Sequence, residues 1–189
     1  TWEDYLSMAA YLKMPMDQDM VLRPRDLLLA HREVLSQCGG REKGLRVVEI
    51  ANKFPRVEAV LASIKEKYEY VGKTFSIVVP EKIEQIIEEG QALKHCLDCS
   101  DRYFERIANQ ESYIVFLRRT KAMEQPYYTL EIEPDGTTRQ KRTVGDNQNN
   151  DYHRAEKFLK KWQAAIRPRL SQEDFERQEI SRQLRMYEL

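Results

Sequence analysis

The stretch Tyr113-Ile114-Val115-Phe116-Leu117 is apolar at every position, so both of its faces need cover. A β-branched and aromatic run of this length suits a central strand packed above and below. Further on, Tyr127 to Glu133 alternates: Tyr128, Leu130 and Ile132 point one way, and Tyr127, Thr129, Glu131 and Glu133 the other. Pro134-Asp135-Gly136 then reads as a turn, with residues 137–144 as the return strand. A three-residue loop closed by a left-handed glycine sets Glu131 opposite Arg139 and Thr129 opposite Lys141. A two-residue loop instead sets Glu131 opposite Gln140 and Thr129 opposite Arg142. Either register gives Glu131 a polar neighbour, and the plain expectation for that face is a solvated surface with a cross-strand ion pair. Thr74 to Val79 supplies another strand, stopped by Pro80.

Helical spacing surrounds these strands. Trp2, Tyr5, Leu6, Ala9 and Leu12 mark a helix over 2–13. A second is expected from about Pro24 to Gln37, since proline suits a first turn. Residues 41–53 are ambiguous, 56–68 read as helix, and so do 81–94 and 101–108. Ala155, Phe158, Leu159, Trp162 and Ile166 form another stripe, ended by Pro168. A charged amphipathic helix over 171–189 opens at Ser171 and carries Phe175, Ile180 and Leu184, a possible partner-facing stripe. The expected class is α+β: a small antiparallel sheet of about four strands flanked by helices. The expected organisation is an N-terminal helical region (1–70), an α+β core (71–168) and a C-terminal helix (169–189).

Charge narrows the function classes. Lys+Arg and Asp+Glu are both 31, so the chain lacks the overall basic excess of a wholesale nucleic-acid binder. Binding follows the distribution of charge, however, and a local patch is compatible with neutrality. Three cysteines, an odd and low count, point to a reducing, cytoplasmic setting. No apolar run approaches the roughly 18 residues of a membrane helix, so no membrane partner is expected. The chain starts at Thr1, which reads as an excision from a longer protein. Walker-type, GxGxxG, HExxH and GxSxG motifs are absent from the sequence.

Three groups of residues carry potential chemistry. His95-Cys96 ends a helix, where histidine can act as acid, base or ligand and the thiol can be activated; the plain alternative is a capping histidine beside a buried cysteine. Cys96 and Cys99 form a CxxC, but zinc needs four ligands and only the distant Cys38, His31 and His153 remain, so no metal site is expected. Arg102, Arg106, Arg118, Arg119, Lys121, Arg139, Lys141 and Arg142 cluster with Tyr103, Tyr113, Tyr127 and Tyr128 among them. Such a mixture on a sheet suits phosphate contact and base stacking along a single strand; the plain alternative is charge that protects strand edges.

The stretches Glu89-Gly90, Leu93, His95-Cys96, Tyr103, Ile114–Arg118, Pro126–Ile132, Gln140, Asn147 and Phe158–Trp162 together resemble the PcfJ-like family, which is tied to conjugative plasmids and related mobile elements. Pro24-Arg25-Asp26-Leu27 with His31 also fits. The chain departs from the family pattern at Leu97-Asp98-Cys99 and at Thr143-Val144, which separate Gln140 from Gly145. The resemblance implies a role beside relaxase or other DNA-processing proteins and supplies no established reaction and no cofactor. It gives weight to a polar pocket with His95 and Glu131 as acid–base pair and with Tyr103, Arg118, Tyr128, Thr129, Gln140, Lys141 and Asn147 as binding residues. Two functions follow. One is an accessory module of DNA transfer that binds a relaxase-type partner or single-stranded nucleic acid through a basic, aromatic-lined face. The other is an enzyme, a nuclease or nucleotide-dependent transferase, working through His95 and Glu131.

Overall fold

The computed structural model describes residues 2–38, 43–144 and 152–186. Five helices come first: α1 (Trp2–Tyr11), the single turn α2 (Asp19–Leu22), α3 (Leu27–Cys38), α4 (Lys43–Lys53) and α5 (Val57–Tyr68). A hairpin follows, β1 (Tyr70–Val71) and β2 (Phe75–Val78), then α6 (Ile83–Leu93) and α7 (Asp101–Ala108). β3 (Tyr113–Arg119), β4 (Tyr128–Ile132) and β5 (Thr138–Arg142) complete the sheet, and α8 (Tyr152–Ile166) and α9 (Gln172–Met186) close the described chain. The strands lie in the order β1-β2-β3-β4-β5, every neighbour antiparallel. The expected α+β class is therefore the observed one, with β1 as a short fifth strand whose two residues are too few to leave a periodic signal.

Local chemistry sets the boundaries. α3 starts at Leu27 and not near Pro24, because the Asp26 carboxylate accepts the Leu29 amide at 3.0 Å and so caps the helix there. The ambiguous 41–53 segment contains α4. Ser171 and Asp174 cap α9 reciprocally: the Asp174 amide donates to Ser171 Oγ at 3.3 Å, and the Ser171 amide donates to Asp174 Oδ2 at 2.7 Å.

The turn between β4 and β5 joins both expected registers. Gly136 takes φ +82°, and the Glu133 amide bonds the Thr137 carbonyl at 2.8 Å, so the loop is Pro134-Asp135-Gly136. A bulge beside Glu131 then shifts the pairing, so that Ile132 faces Thr138 while Glu131 faces Gln140 and Thr129 faces Arg142.

Both faces of the sheet are covered. Pairing and alternation put Tyr113, Val115, Tyr128, Leu130 and Lys141 on one face. There Tyr68 of α5 meets Tyr113, and Tyr152 of α8 meets Tyr128. Ile114, Phe116, Arg118, Thr129, Glu131, Gln140 and Arg142 share the other face, beneath α6 and α7. The N-terminal helices lie outside α6 and α7: α4 contacts α6, and α1 contacts α3 and α7. Arg46 on α4 reaches Asp101 at 2.7 Å. Exposed strand edges are limited to the two residues of β1 and the polar β5.

Among the described residues, no helix is long and apolar enough to cross a membrane.

Candidate functional site

α6 ends with Lys94 in the left-handed region (φ 54°), and the His95 amide bonds the Gly90 carbonyl at 3.1 Å. This cap turns the chain so that His95 faces the sheet, and a short 3₁₀ turn, Cys96–Asp98, carries it on toward α7. His95 Nε2 lies 3.0 Å from Thr129 Oγ1, and Thr129 Oγ1 lies 3.4 Å from Glu89 Oε1. Glu89 holds Arg118 through two bonds of 2.8 and 2.5 Å. A carboxylate only accepts, so the Thr129 hydroxyl donates to Glu89 and accepts from His95 Nε2–H. This assigns the neutral ring its lone pair on Nδ1.

Glu131 lies one pleat along on the same face, only 2% exposed. Its Oε1 accepts from Ser112 at 2.6 Å and from Arg106 at 3.0 Å, with Arg139 Nε at 3.9 Å. The β5 bulge supplies the third contact by setting Arg139 and Gln140 together beside Glu131. Glu131 Oε2 is buried without a protein hydrogen-bond partner. The expected solvated face is thus a buried one, because α6 and α7 lie over it and two arginines compensate its carboxylates.

His95, Tyr103, Thr129, Glu131, Gln140 and Arg142 line one cavity of about 20 Å³. That volume holds a water molecule or two, and an unpartnered carboxylate oxygen is a good acceptor for one. Burial pushes His95 down to about 4, opposed by a hydrogen bond to its own backbone and helped by the charge of Arg142. The ring is neutral at neutral pH. Burial also pushes the Tyr103 phenol well above its ordinary range, as do the Cys96 thiol and the Asp4 and Glu131 carboxylates. Cys96 Sγ lies 3.4 Å from Tyr103 Oη, so His95 and Cys96 diverge, one to Thr129 and the other to Tyr103. Among the described residues, no group of three or more His, Cys, Asp and Glu side chains is placed to hold a metal ion.

The structure divides the residues singled out from the sequence. His95, Tyr103, Thr129, Glu131 and Gln140 meet at the cavity, and Arg118 joins them through Glu89 and Thr129. Tyr128 and Lys141 lie across the sheet, where the Lys141 ammonium sits 3.7 Å from the centre of the Tyr152 ring. Asn147 lies outside the described residues. Tyr103, Tyr113, Tyr127 and Tyr128 are all buried, and Arg102 and Arg106 pair with Glu3 and Glu131.

A second concentration of charge joins Arg119 and Lys121 of the basic cluster read from the sequence to four cations that the reading missed. Lys73 of the β1–β2 turn and Arg154, Lys157 and Lys161 of α8 surround a concavity of about 510 Å³ that also holds Tyr70 and Phe158. An adjoining hollow, also of about 510 Å³, shares Lys73 and Arg154 and extends to Arg119 and Lys121. No carboxylate among the described residues lines either one. Among the described residues, Lys73, Lys121, Arg154, Lys157 and Lys161 have no carboxylate within ion-pair distance. The available signal was the i, i+3, i+7 spacing of Arg154, Lys157 and Lys161 along one helical face.

Comparison with known proteins agrees with the residue pattern. The model of the family described as PcfJ-like protein matches residues 1–156. An uncharacterized protein of Listeria innocua is 22% identical over 164 residues. That alignment covers 87% of this chain and 34% of the relative, so the chain spans about a third of the relative's length. No solved structure matches the chain. A match that runs from the N-terminal helices through the whole sheet and into α8 means that the chain belongs to the PcfJ-like protein family.

Proposed function

We propose that the chain is an accessory module of conjugative DNA transfer that binds nucleic acid beside a relaxase-type partner. The observation that carries this reading is the pair of adjoining concavities with five cations that, among the described residues, no carboxylate neutralises. Net neutrality of the chain makes this local surplus informative, because the described carboxylates lie elsewhere. The contact surface differs from the face expected from the sequence. Arg118 belongs to a buried pair with Glu89, and Lys141 is stacked on Tyr152, so neither is the natural phosphate contact. The test is fluorescence anisotropy with a labelled oligonucleotide over a salt series. Affinity should fall steeply as salt rises, in proportion to the phosphates neutralised. Binding that ignores salt, or no binding at low salt, removes the reading.

An enzymatic reading keeps one point in its favour, the shared cavity of His95 and Glu131 with its unpartnered Oε2. A cavity of about 20 Å³ admits water and not a nucleotide, so turnover requires α6 and α7 to lift from the sheet. Nuclease or nucleotidyl-transfer activity that disappears in a folded His95→Gln variant would support it over the binding module.

A further inference from the structure

We propose that the basic concavity is built for single-stranded nucleic acid, with bases seated against Tyr70 and Phe158 and phosphates on the surrounding cations. The inference rests on the nucleic-acid reading above and names its substrate class.

The arrangement is a partly exposed aromatic floor inside a cationic rim. Tyr70 of β1 and Phe158 of α8 are half-buried, their ring centroids 6.0 Å apart and their planes tilted by 55°. Phe75 lies beneath, 5.7 Å from Phe158, and braces the ring. Gly72 lets these elements close: a Cβ there would stand 2.6 Å from the Phe75 carbonyl oxygen and 2.8 Å from Phe158. The aromatics are therefore held firmly while part of their surface stays open to the concavity.

Charge follows the same path. Arg154, Lys157 and Lys161 are exposed along one side of α8, separated by about 4.5 and 6 Å of helix rise. Lys73 faces them from the β1–β2 turn. The second hollow continues past Lys73 and Arg154 to Arg119 and Lys121 at the end of β3. The two hollows of about 510 Å³ each share Lys73, Thr74, Phe75 and Arg154, and side by side they offer more surface than a single small ligand needs. A strand laid along them meets cations at several successive phosphates.

This geometry separates single strands from duplexes. A duplex keeps its bases stacked inside and offers phosphates alone to the groove. A single strand has free base faces, and stacking on an aromatic side chain is tolerant of sequence. An acidic peptide would use the cations but gain nothing from the rings.

The experiment compares a labelled oligothymidylate, a mixed-sequence duplex of equal length and a polyglutamate peptide, each binding the full chain over a salt series. The single strand should bind roughly tenfold tighter than the duplex. Replacing both Lys157 and Lys161 by Ala should weaken both nucleic acids and lower the single-strand salt slope by about 1.4. Tyr70→Leu and Phe158→Leu should each weaken the single strand roughly fivefold to tenfold while leaving duplex affinity unchanged. Circular dichroism and the urea midpoint of each variant serve as the folding control; should Phe158→Leu unfold, Tyr70→Leu at the sheet edge decides alone. Equal or tighter binding of the duplex, or leucine variants that bind the single strand like the parent, overturns the single-strand assignment and leaves nucleic-acid binding standing. No binding of either nucleic acid, or polyglutamate binding as tightly, overturns both.

Discussion

At the residue scale, His95 is the most informative side chain. Its neutral ring links the α6 cap to the sheet through Thr129, and burial holds its folded value at about 4 against an ordinary 6.5. As pH falls through 6.5, the unfolded ring takes a proton while the folded ring stays neutral until about 4. The unfolded state therefore binds more protons in that window. Stability is complete above pH 6.5 and declines as pH drops toward 4, by ~3 kcal/mol from this one group. Urea midpoints measured from pH 6.5 to 4 should show a steeper decline in the parent than in His95→Gln; parallel profiles would contradict the assignment. Glu131, beside it, illustrates why residue type alone misleads. Alternation gave its face correctly and said nothing about what lies over that face.

At the scale of elements, α9 docks by an unusual seam. Its buried residues are Asp174, Gln178 and Ser181, whereas Ile180 and Leu184 remain 57% and 45% exposed. The polar side is inward because the β4–β5 turn and α5 offer charged partners. Glu133 accepts from Gln178 at 2.5 Å and from Arg185 at 2.7 Å, and Lys67 donates to Asp174 at 2.7 Å. Burial works against ionisation of Asp174, but bonds from Lys67 and Ser171 outweigh it and hold the carboxyl below the ordinary carboxylate range. Asp174→Ala removes the carboxylate half of the reciprocal cap and leaves Lys67 without that partner. It should cost about 2–3 kcal/mol. Hydrogen exchange should locate the loss in α9 first, and unchanged α9 protection would refute this account. The exposed Ile180 and Leu184 match the stripe read from the sequence, but polar contacts and not that stripe bind the helix to its own domain.

At the scale of the whole molecule, the sheet is the middle layer and the N-terminal helices are an outer one. Arg46, 2% exposed, is a main latch between them: it reaches Asp101 on α7 at 2.7 Å and Glu49 at 3.2 Å, and it lies 4.6 Å from the centre of the Tyr11 ring. Arg46→Ala should cost roughly 2–3 kcal/mol, less than a fully buried pair because both carboxylates are partly exposed. Amides of α1, α3 and α4 should then exchange faster while β3 and β4 keep their protection. Uniform acceleration across the sheet would mean that the layers unfold as one unit.

Local patterns were enough for most elements of this chain. An unbroken apolar run makes β3 a central strand wherever it is placed, and Pro134-Asp135-Gly136 turns the chain whatever packs against it. Apolar spacing likewise places α5 through α8 to within a few residues. Two things depend on parts of the chain far apart in sequence. One is the bulge in β5, which chooses between two registers of equal local merit and brings Arg139 to Glu131. The other is the partnering of charges: Arg118 finds Glu89 and Arg106 finds Glu131, while Lys157 and Lys161 find no carboxylate among the described residues. Side-chain type sets what an ion can do, but only the packing of one element on another decides which ions are neutralised and which stay available to a ligand.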